Sequence, residues 1–464
     1  MKNRLYSVLL TVTVLFFTCH SALAEDGYTF PENVKPLILT QWGQGYPFNL
    51  LCPKTENADG ETTNMMAGCG AVAMAQIINY HEYPSISPDK TYKYDWDLMY
   101  PTLIVGLRKE ETVAVAKLIS DCGVSALTEY GEEMSGTSIS KMMGALKRLF
   151  NYSNYMAIYE RSKFTSPQGD SLYKQLIFTE LKAGRPVLCR AYSKKEKDGH
   201  LFIIDGCRGQ KVHVNMGWAG NKNGYYNLDD IAGYNQHQWL LTGVADSTFQ
   251  AETREVTLNE PGKLDTILSR QEQQTISHIK LKGVMNKSDF STLRQMLQNG
   301  LLRTIDMEEV EIKQLPDSAF MNCTYLSHLI APQSLVSTGN MTFCGCSNLN
   351  HVIFHQGLRT IGHAAFIGCS NLLSIQLPNT TNNIGHNAFT SCNTLLSIVL
   401  PEGVQKIGNY SFSYCEHLYS ITLPKSLRSI GKNIFKSCNR LTHIRLDPDN
   451  PNYIINENNE LTPR

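Results

Sequence analysis

Apolar residues return at a fixed interval through the C-terminal part of the chain. Phenylalanine, cysteine three positions later and leucine three positions after that recur with a step of 23 residues, as from Phe320 to Phe343. The phenylalanines of the series are Phe320, Phe343, Phe366, Phe389, Phe412 and Phe435. This period predicts a solenoid, because each unit can bury its apolar face only against its neighbours.

Each repeat is predicted to contain a short strand and a turn. In one repeat, residues 395–400 form the strand, which ends at Pro401, and Gly408 supplies the backbone freedom for the turn. The pattern resembles the BspA-type leucine-rich repeats, and we assign residues 316–464 to them. Residues 251–315 resemble the cap that opens such arrays, and a cap is needed because the end repeat would otherwise expose its apolar side.

The repeat cysteines are predicted to be unpaired, buried thiols that fill one column of the core as small hydrophobic residues. Zinc would require paired ligands near a second pair, and Cys344 with Cys346 lacks such partners, so we expect no metal site. Disulfides stacked between repeats stay open, because sequence spacing does not fix the distance. The array predicts a surface that binds a protein or another surface ligand.

The N-terminus has the pattern of a secretory signal. Lys2 and Arg4 precede an apolar run over residues 8–17, and small residues follow up to Ala24. The run is about half of the roughly 20 apolar residues that a membrane-spanning helix needs. We therefore expect residues 1–24 to be removed on export. The mature protein is expected to have no transmembrane segment and to be secreted or retained at the cell surface.

Composition and charge exclude several classes of protein. Lys+Arg and Asp+Glu number 42 each among 464 residues, so no net charge attracts nucleic acid or an anionic membrane. Hydrophobic residues make up 42% and charged residues only 18%, which excludes a globally disordered chain. The length suits about two or three domains.

One cysteine of the N-terminal half has the setting of a nucleophile. Residues 68–81 combine small and apolar residues at helical spacing, and the segment ends before Pro84. Cys69 would lie in the first turn of this helix, where free N–H groups and the helix dipole favour a thiolate. The alternative for Cys69 is a buried structural cysteine.

The base for this nucleophile is predicted to be His200. Residues 201–204 and 211–214 are predicted strands, joined by a turn at residues 206–210. Antiparallel pairing about that turn would bring His200 opposite Asn215, whose amide could hold the imidazole in one tautomer.

Three other polar residues are less suitable partners. His81 would be about 18 Å from Cys69 along the helix, at ~1.5 Å per residue. His213 is harder to reject, but its place on the strand is farther from the expected site. Asp205 lies five residues along the strand from His200, hence on the opposite face.

The N-terminal half resembles the streptopain family of secreted cysteine proteases, and its order of Cys, His and Asn is that of papain-like proteases. The matching stretches are residues 42–53, 68–84, 184–187, 199–206 and 213–220. The resemblance implies an α+β papain-like cysteine protease domain over residues 25–250, followed by the leucine-rich-repeat solenoid. It also implies hydrolysis of protein or peptide substrates through a thioester acyl-enzyme, with no metal or organic cofactor.

Roles follow from the position of each residue in the family motifs. Cys69 is implied to be the nucleophile and His200 the general base and acid, paired at rest as thiolate and imidazolium. Gln44 is implied to stabilise the oxyanion together with the backbone N–H of Cys69. Asn215 would orient His200, and Trp218 would cover that hydrogen bond from water.

The resemblance also implies substrate contacts. Gly199 precedes the predicted base, and Ser135 and Gly136 lie in a segment that resembles the family's mobile loop along the cleft. Met216 departs from the family motif, since it stands where the family has the first of two tryptophans. We further expect residues 25–35 or the repeat array to contribute to latency.

Two other functions stay open. The repeats could form an adhesin or binding protein beside an inactive protease domain, although retention of the four predicted catalytic side chains argues against this. An acyltransferase of the transglutaminase kind also uses cysteine and histidine. It would need an aspartate as third member, and Asp205 is badly placed for that role.

Overall fold

The protein has two regions of different architecture, a mixed helix and sheet region followed by a solenoid, and this confirms the predicted fold class. The predicted signal peptide, residues 1–24, lies outside the part of the chain that is described. Within that part, no helix combines the length and the hydropathy needed to cross a membrane. The structure is a computed structural model that describes residues 28–56, 60–103, 109–195, 198–249, 251–457 and 461–464.

The N-terminal region is a six-stranded antiparallel sheet with helices on both faces. Its helices are α1 (Cys69–His81), α2 (Lys109–Ser125), α3 (Ile139–Arg148) and α4 (Pro167–Lys182). Its strands are β1 (Lys54–Glu56), β2 (Thr62–Asn64), β3 (Ala157–Glu160), β4 (Val187–Ser193), β5 (Gly199–Arg208), β6 (Lys211–Asn215), β7 (Gly224–Asn227) and β8 (Tyr234–Thr242). Strands β1 and β2 form a separate hairpin, and the sheet has the order β3-β8-β4-β5-β6-β7.

The sheet separates two apolar cores. Side chains alternate along β5, so that Leu201 and Ile203 enter the core shared with α1, while Phe202 and Ile204 enter the core shared with α4. Helix α1 is buried along most of its length, and it ends at Glu82, whose φ of 50° is left-handed. The central helix and β5 are therefore fixed against each other by apolar packing.

The β5–β6 hairpin differs from the predicted one. Asn215 pairs with Ile203, and His200 pairs with Ala191 of β4, so the predicted pairing of His200 with Asn215 is wrong. The reason is that Gly206 lies within β5 beside a bulge rather than in a turn. A Cβ there would lie 2.8 Å from the carbonyl oxygen of Val34, so the glycine permits a close backbone approach.

The C-terminal region is a solenoid of parallel strands. Its helices are α5 (Leu264–Ile267), α6 (Arg270–Thr275) and α7 (Lys287–Asn299). Its strands are β9 (Arg254–Leu258), β10 (His278–Gly283), β11 (Thr304–Val310), β12 (His328–Ile330), β13 (His351–Ile353), β14 (Thr360–Ile361), β15 (Asn383–Ile384), β16 (Ser397–Val399), β17 (Lys406–Ile407), β18 (Ser420–Leu423), β19 (Ser429–Ile430), β20 (His443–Leu446), β21 (Tyr453–Ile455) and β22 (Leu461–Pro463). Strands β9 to β13 form one sheet, so residues from the predicted cap continue directly into the first repeats.

The repeated phenylalanines and cysteines form columns along the solenoid. Successive phenylalanine rings stack with centroid separations of 5.0 Å for Phe343 and Phe366 and 5.2 Å for Phe366 and Phe389. The described repeat cysteines are free, as predicted. Their thiols are also donors, since Cys369 Sγ lies 3.1 Å from the carbonyl oxygen of Phe343 and Cys392 Sγ lies 3.3 Å from that of Phe366.

The two regions share an interface along α3. A Cβ on Gly144 would lie 2.2 Å from Cδ1 of Leu373, and Lys147 Nζ donates to Asn350 Oδ1 at 3.1 Å. Three helical residues rise about 4.5 Å, close to the roughly 4.8 Å between neighbouring strands. One face of α3 thus matches the spacing of the repeats, and the helix runs along the solenoid.

Arg303 joins the same interface from the solenoid side. It is 1% exposed, and its guanidinium carbon lies 4.4 Å from the ring centre of Tyr159 and 4.5 Å from that of Tyr325. Its Nε donates to the carbonyl oxygen of Ile158 at 3.3 Å, and the Tyr325 hydroxyl donates to Glu160 Oε2 at 2.7 Å. Because buried polar groups need partners, these contacts stabilise a defined arrangement of the two regions.

Candidate active site

Cys69 is the first residue of α1. Gly68 precedes it with a φ of 89°, a conformation that glycine adopts without strain. A Cβ on Gly68 would lie 3.0 Å from the carbonyl oxygen of Ser135, so the helix start packs closely against that loop. The predicted position of Cys69, at the N-terminus of a buried helix, is confirmed.

A cavity of about 600 Å³ opens beside Cys69. Most of the predicted site residues line it, namely Gln44, Cys69, Ser135, Gly136, Gly199, His200 and Trp218. The backbone N–H of Leu201, the residue after His200, interacts with the Cys69 sulfur. The structure therefore brings the predicted nucleophile and the predicted base to one site.

His200 is 5% exposed and is held by two rings and a carbonyl group. Its ring centre lies 4.5 Å from that of Trp218 and 5.3 Å from that of Tyr234. Its Nε2 lies 2.8 Å from the carbonyl oxygen of Met216. A carbonyl oxygen only accepts, so Nε2 carries the hydrogen and Nδ1 is left as the basic nitrogen of the neutral ring.

The predicted contact of Asn215 with His200 is wrong. Asn215 Oδ1 accepts from the backbone N–H of Gly217 at 3.0 Å, and its Nδ2 donates to the carbonyl oxygen of Thr40 at 2.7 Å. The three-residue difference in strand register moves the amide away, and the carbonyl of Met216 takes the orienting role. Trp218 consequently covers the His200 ring itself rather than a bond between His200 and Asn215.

Gln76 is a site residue that the sequence analysis missed. It is 1% exposed on α1, two turns after the nucleophile, and its Nε2 donates to Asn215 Oδ1 at 3.3 Å. Its Oε1 accepts from Thr40 Oγ1 at 2.9 Å and from the backbone N–H of Trp42 at 3.3 Å. The signal that could have found it is a lone amide in an otherwise apolar stretch of helix.

The segment that carries Gln44 is fixed from two sides. The carbonyl oxygen of Gln44 accepts from the backbone N–H of Ala67 at 2.9 Å, and that of Trp42 accepts from Ala219 at 3.1 Å. These bonds connect the segment to the approach of α1 and to the turn after Trp218. Gln76 itself lies on α1, and its partners belong to the segment before Gln44 and to the turn that holds His200. It thus joins three parts of the site.

The other histidines are engaged elsewhere. His213 Nδ1 lies 2.6 Å from Oδ1 of Asp205, which is 0% exposed and whose Oδ2 accepts from the backbone N–H of Ile38 at 3.0 Å. His81 Nδ1 lies 3.1 Å from the hydroxyl of Tyr152. Neither histidine lines the cavity. Over the described ranges, no group of three or more His, Cys, Asp or Glu residues could hold a metal ion.

Burial shifts both predicted catalytic groups toward their neutral forms. Burial raises the pKa of the Cys69 thiol, although the N–H groups of Leu201 and Gly70 and the charge of Arg190 act to lower it. Burial also lowers the pKa of His200 to about 4, against the bond to Met216. Both shifts favour the neutral thiol and the neutral imidazole over the predicted resting ion pair, which stays a prediction.

The N-terminal segment lies away from the cavity. The backbone N–H of Phe30 donates to the carbonyl oxygen of Gly209 at 2.8 Å, and Val34 pairs with Cys207. Among residues 28–35, none lines the cavity. In the described part of the segment that was expected to contribute to latency, the chain therefore packs on the β5–β6 hairpin rather than in the cleft.

Comparisons with known families agree with both predicted resemblances. Residues 42–226 match the model of the peptidase C10 family. Residues 294–415 and 382–458 match the model of the BspA-type leucine-rich repeat region, with six copies. These matches confirm the resemblance of the N-terminal half to the streptopain family and of the C-terminal half to BspA-type repeats.

Individual relatives cover only part of the chain. Streptopain of Streptococcus pyogenes serotype M28 is 29% identical over 243 residues, which is 44% of this chain and 60% of the relative. The thiol protease/hemagglutinin PrtT of Porphyromonas gingivalis is 26% identical over 267 residues, 49% of this chain and 30% of the relative. The solved structure of Prevotella intermedia interpain A, a cysteine protease, is 29% identical, covers 47% of this chain and 96% of its own, and has a TM-score of 0.40.

Proposed function

We propose that this protein is a secreted cysteine endopeptidase in which Cys69 is the nucleophile and His200 the general base. The observation that carries the proposal is the cavity lined by both residues together with Gln44 and Trp218. A nucleophile at a helix N-terminus beside a base that a third group orients is the arrangement of covalent acyl transfer. The match of residues 42–226 to the peptidase C10 family supports hydrolysis of peptide bonds.

The first step is an attack accompanied by proton transfer. Because burial favours the neutral thiol and the neutral imidazole, we expect Nδ1 of His200 to take the thiol proton as Cys69 Sγ attacks the scissile carbonyl carbon. The Nε2–H bond to the carbonyl of Met216 stabilises the imidazolium that forms. Trp218 and Tyr234 keep the ring in its plane through their contacts on it.

The oxyanion is stabilised by two donors and then collapses to a thioester. The donors are the side-chain amide of Gln44 and the backbone N–H of Cys69, and one such donor is worth roughly 3–4 kcal/mol. His200 then gives its proton to the leaving amine as the peptide C–N bond breaks. Water attacks the thioester, His200 takes the proton of that water, and the Cys69 thiol is restored.

The solenoid is proposed to bind a protein or a surface ligand beside this catalytic unit. Apolar side chains stay exposed on the solenoid, with Val399 of β16 67% exposed and Tyr419, just before β18, 51% exposed. The proposed protease domain covers residues 25–250, the proposed cap residues 251–315 and the proposed repeats residues 316–464.

Asp205 pairs with His213, so it does not supply the aspartate that a transglutaminase-type triad would need.

The test of this function compares the full chain with a Cys69→Ala variant on a denatured protein substrate. We expect the substitution to lower turnover at least about thousandfold, as loss of a nucleophile does. A Cys52→Ala variant is the matched control, because Cys52 is also a free thiol of the same region and is buried outside the cavity. Equal cleavage by the wild type and Cys69→Ala would refute the assignment of the nucleophile.

A second comparison tests the base. His200→Ala should abolish turnover, whereas His213→Ala should retain it, because the ring of His213 serves the buried carboxyl of Asp205. Thermal melting of both variants separates loss of chemistry from loss of fold. Turnover retained in His200→Ala and lost in a folded His213→Ala would show that the other imidazole is the base.

A further inference from the structure

Arg190 brings a positive charge into the cavity. It lies on β4, pairs with Leu201 of β5 and with Trp239 of β8, and lines the cavity with Cys69. Its guanidinium carbon lies 4.9 Å from the ring centre of Tyr192, and its Nη2 donates to the hydroxyl of the same residue. The ring of Tyr192 in turn packs on Trp239 at 5.9 Å. The charged group is therefore held in place before any substrate arrives.

The guanidinium has donors to spare. Guanidinium carries five N–H donors in a planar fork that matches a carboxylate. Its contact with Tyr192 uses one of them. Among the described residues, no carboxylate forms an ion pair with Arg190, although Glu133 and Asp198 line the same cavity. A preorganised cation with free donors in a substrate cavity is suited to bind an anion.

Asp198 lies at the end of the β4–β5 hairpin that also carries Arg190, and its carbonyl oxygen accepts from the backbone N–H of Ser193 at 3.0 Å. Asp198 acts on His200, because its negative charge raises the pKa of that ring. Arg190 acts on Cys69, because its positive charge lowers the pKa of the thiol against the larger effect of burial. Glu133 lies exposed in the loop beside Ser135. Among the described residues that line the cavity, Arg190 is the only lysine or arginine, so it supplies the positive charge there.

The sheet order assigns a direction to the substrate. In the order β4-β5-β6, Trp218 follows β6 on one side of His200, and Arg190 of β4 lies on the other side. His200 protonates the leaving amine, and Trp218 lies against the His200 ring at 4.5 Å, so we place the leaving amine on the Trp218 side. The acyl part, which stays on Cys69, extends toward β4.

From this geometry we infer that Arg190 is a specificity-determining residue, which selects substrates with a Glu or Asp side chain on the acyl side of the scissile bond. The inference rests on the proposed peptidase function. The substrate carboxylate would accept two N–H bonds from the guanidinium while the scissile carbonyl lies over Cys69 Sγ. No covalent step beyond those already proposed is involved.

The test is a series of peptides that differ only on the acyl side. Each of the three residues before the scissile bond is varied in turn as Glu, Gln, Leu or Arg, and kcat/KM is measured with the full chain. At one position we expect Glu to exceed Gln by about tenfold or more, the usual effect of a charge-assisted hydrogen bond in a sheltered site. Arg190→Gln should bring this ratio to about one, with the Gln and Leu peptides still cleaved.

Charge reversal and a matched cation sharpen the test. Arg190→Glu should favour the Arg peptide at the same position. Lys222→Gln is the control, because Lys222 is a cation on the opposite side, 5.2 Å from the ring centre of Trp218, and its removal should leave the Glu to Gln ratio unchanged. Arg190→Lys, which keeps the charge without the planar fork, should retain part of the preference and serves if Arg190→Gln does not fold.

Two results would overturn the inference, and they differ from failure of the peptidase function. Cleavage by the wild type with no preference for Glu at any acyl-side position would refute the role of Arg190 alone. A preference for Glu that survives in folded Arg190→Gln would do the same. Absence of any Cys69-dependent cleavage across the whole series would refute the peptidase function and the inference together.

Discussion

At the scale of single residues, the site depends on a few buried polar groups that never touch the substrate. The carbonyl of Met216 fixes the tautomer of His200, and it belongs to the backbone, so substitution of Met216 does not remove it. The turn that carries this carbonyl is held by Asn215, and Asn215 is held by Gln76 on α1. The orientation of His200 is thus linked by hydrogen bonds to the helix that begins at Cys69.

Gln76 is accordingly expected to be a positioning residue. Gln76→Ala removes one hydrogen-bond partner each from Thr40, Trp42 and Asn215 and should cost about 1–3 kcal/mol of stability. Asn215 holds the turn whose carbonyl orients His200, and Thr40 and Trp42 precede Gln44 in the chain. Because these groups would shift, kcat should fall about tenfold or more while KM changes little. Steady-state kinetics and thermal melting of the same preparation measure both effects.

Gln238→Ala is the matched control for this prediction. Gln238 is also a buried glutamine of the same region, 3% exposed, and it donates to the carbonyl of Leu228 away from the cavity. The Gln238→Ala variant should lose comparable stability and keep the kcat of the wild type. Equal losses of kcat in the two variants would mean that Gln76 acts on the fold and not on the site.

The pH dependence of turnover follows from the burial of His200. Its pKa is lowered to about 4, so the ring is neutral and able to act as a base above that value. We expect kcat/KM to rise as the pH increases through about 4 and to stay level through neutral pH, measured with one neutral peptide in overlapping buffers. A rise centred near 6.5 in a protein that stays folded would contradict this and indicate an exposed, ordinary imidazole.

Individual residues also show where prediction from sequence ends. Cys69 and His200 were predicted from local patterns in the sequence, and Gln44 was implied by the family resemblance. The role of Asn215 depended on the strand register, which differs by three residues from the predicted one mainly because β5 continues to Arg208 and the turn lies at Gly209 and Gln210. The backbone of Val34 also packs closely on Gly206, a contact distant in sequence that no local pattern reveals.

At the scale of elements, the solenoid was easier to predict than the N-terminal region. A repeat buries the same side chains in every unit, so a period of 23 residues in the sequence gives both the strands and the columns of the core. The contact of α3 with successive repeats had no such periodic signal in the sequence. It depends on the rise of one helix against the spacing of strands from another region, as seen at Gly144 with Leu373 and at Lys147 with Asn350.

The contact of α3 with the repeats predicts a coupled pair of substitutions. Leu373 is 4% exposed, so Leu373→Ala should cost about 2–4 kcal/mol through the cavity that it leaves. Gly144→Ala should cost about 1–3 kcal/mol, because the new methyl group would overlap the leucine. In the double variant the methyl group enters the space left by the leucine, so its loss should be smaller than the sum.

Denaturant unfolding of the four proteins measures this double-mutant cycle. Strictly additive losses would show that Gly144 and Leu373 do not meet in solution. A Leu396→Ala variant provides a comparison at the equivalent position of the next repeat, where the side chain is only partly buried. The loss of stability caused by Leu396→Ala should be the same with and without Gly144→Ala.

At the scale of the whole molecule, the interface between the two regions buries basic groups that have carbonyl and amide partners. Lys147 Nζ donates to the carbonyl oxygens of Asn154 at 2.9 Å and Met156 at 3.3 Å, besides Asn350. Burial lowers the pKa of Lys147 to about 7. Among the described residues, Lys147 forms no ion pair with a carboxylate, so added positive charge nearby is not compensated.

Three histidines stand in line beside this lysine. His278, His328 and His351 occupy matching positions on β10, β12 and β13, and the rings of His328 and His351 lie 4.7 Å apart. Burial lowers the pKa of all three, to about 4 for His278, and the charge of Lys147 acts in the same direction on each. His278 also contacts the ring of Tyr155 from the N-terminal region, at 5.1 Å. We therefore expect protonation of these histidines in acid to weaken the contact between the two regions.

The sign of the effect follows from the proton balance. Between the unfolded pKa of 6.5 and the folded value of about 4, the unfolded chain binds more protons than the native one at His278. The stability that His278 contributes is complete above pH 6.5 and is lost as the pH falls toward 4, by about 2–3 kcal/mol for this shift. Thermal melting between pH 4.5 and 7.5 should record this decline, and His278→Phe should reduce its slope, because phenylalanine keeps a ring against Tyr155 and cannot be protonated.

The exposed His443 on β20 supplies the control, since His443→Phe removes a histidine outside the interface and should leave the slope as it is. An unchanged slope in His278→Phe would mean that the acid sensitivity of the molecule arises elsewhere, for instance at the buried His200.

A reduced slope in His278→Phe would have a consequence for both regions. Helix α3 carries Lys147 and begins just after the loop of Ser135 and Gly136 that lines the cavity, so loss of the interface in acid would be transmitted to the substrate cleft through one helix.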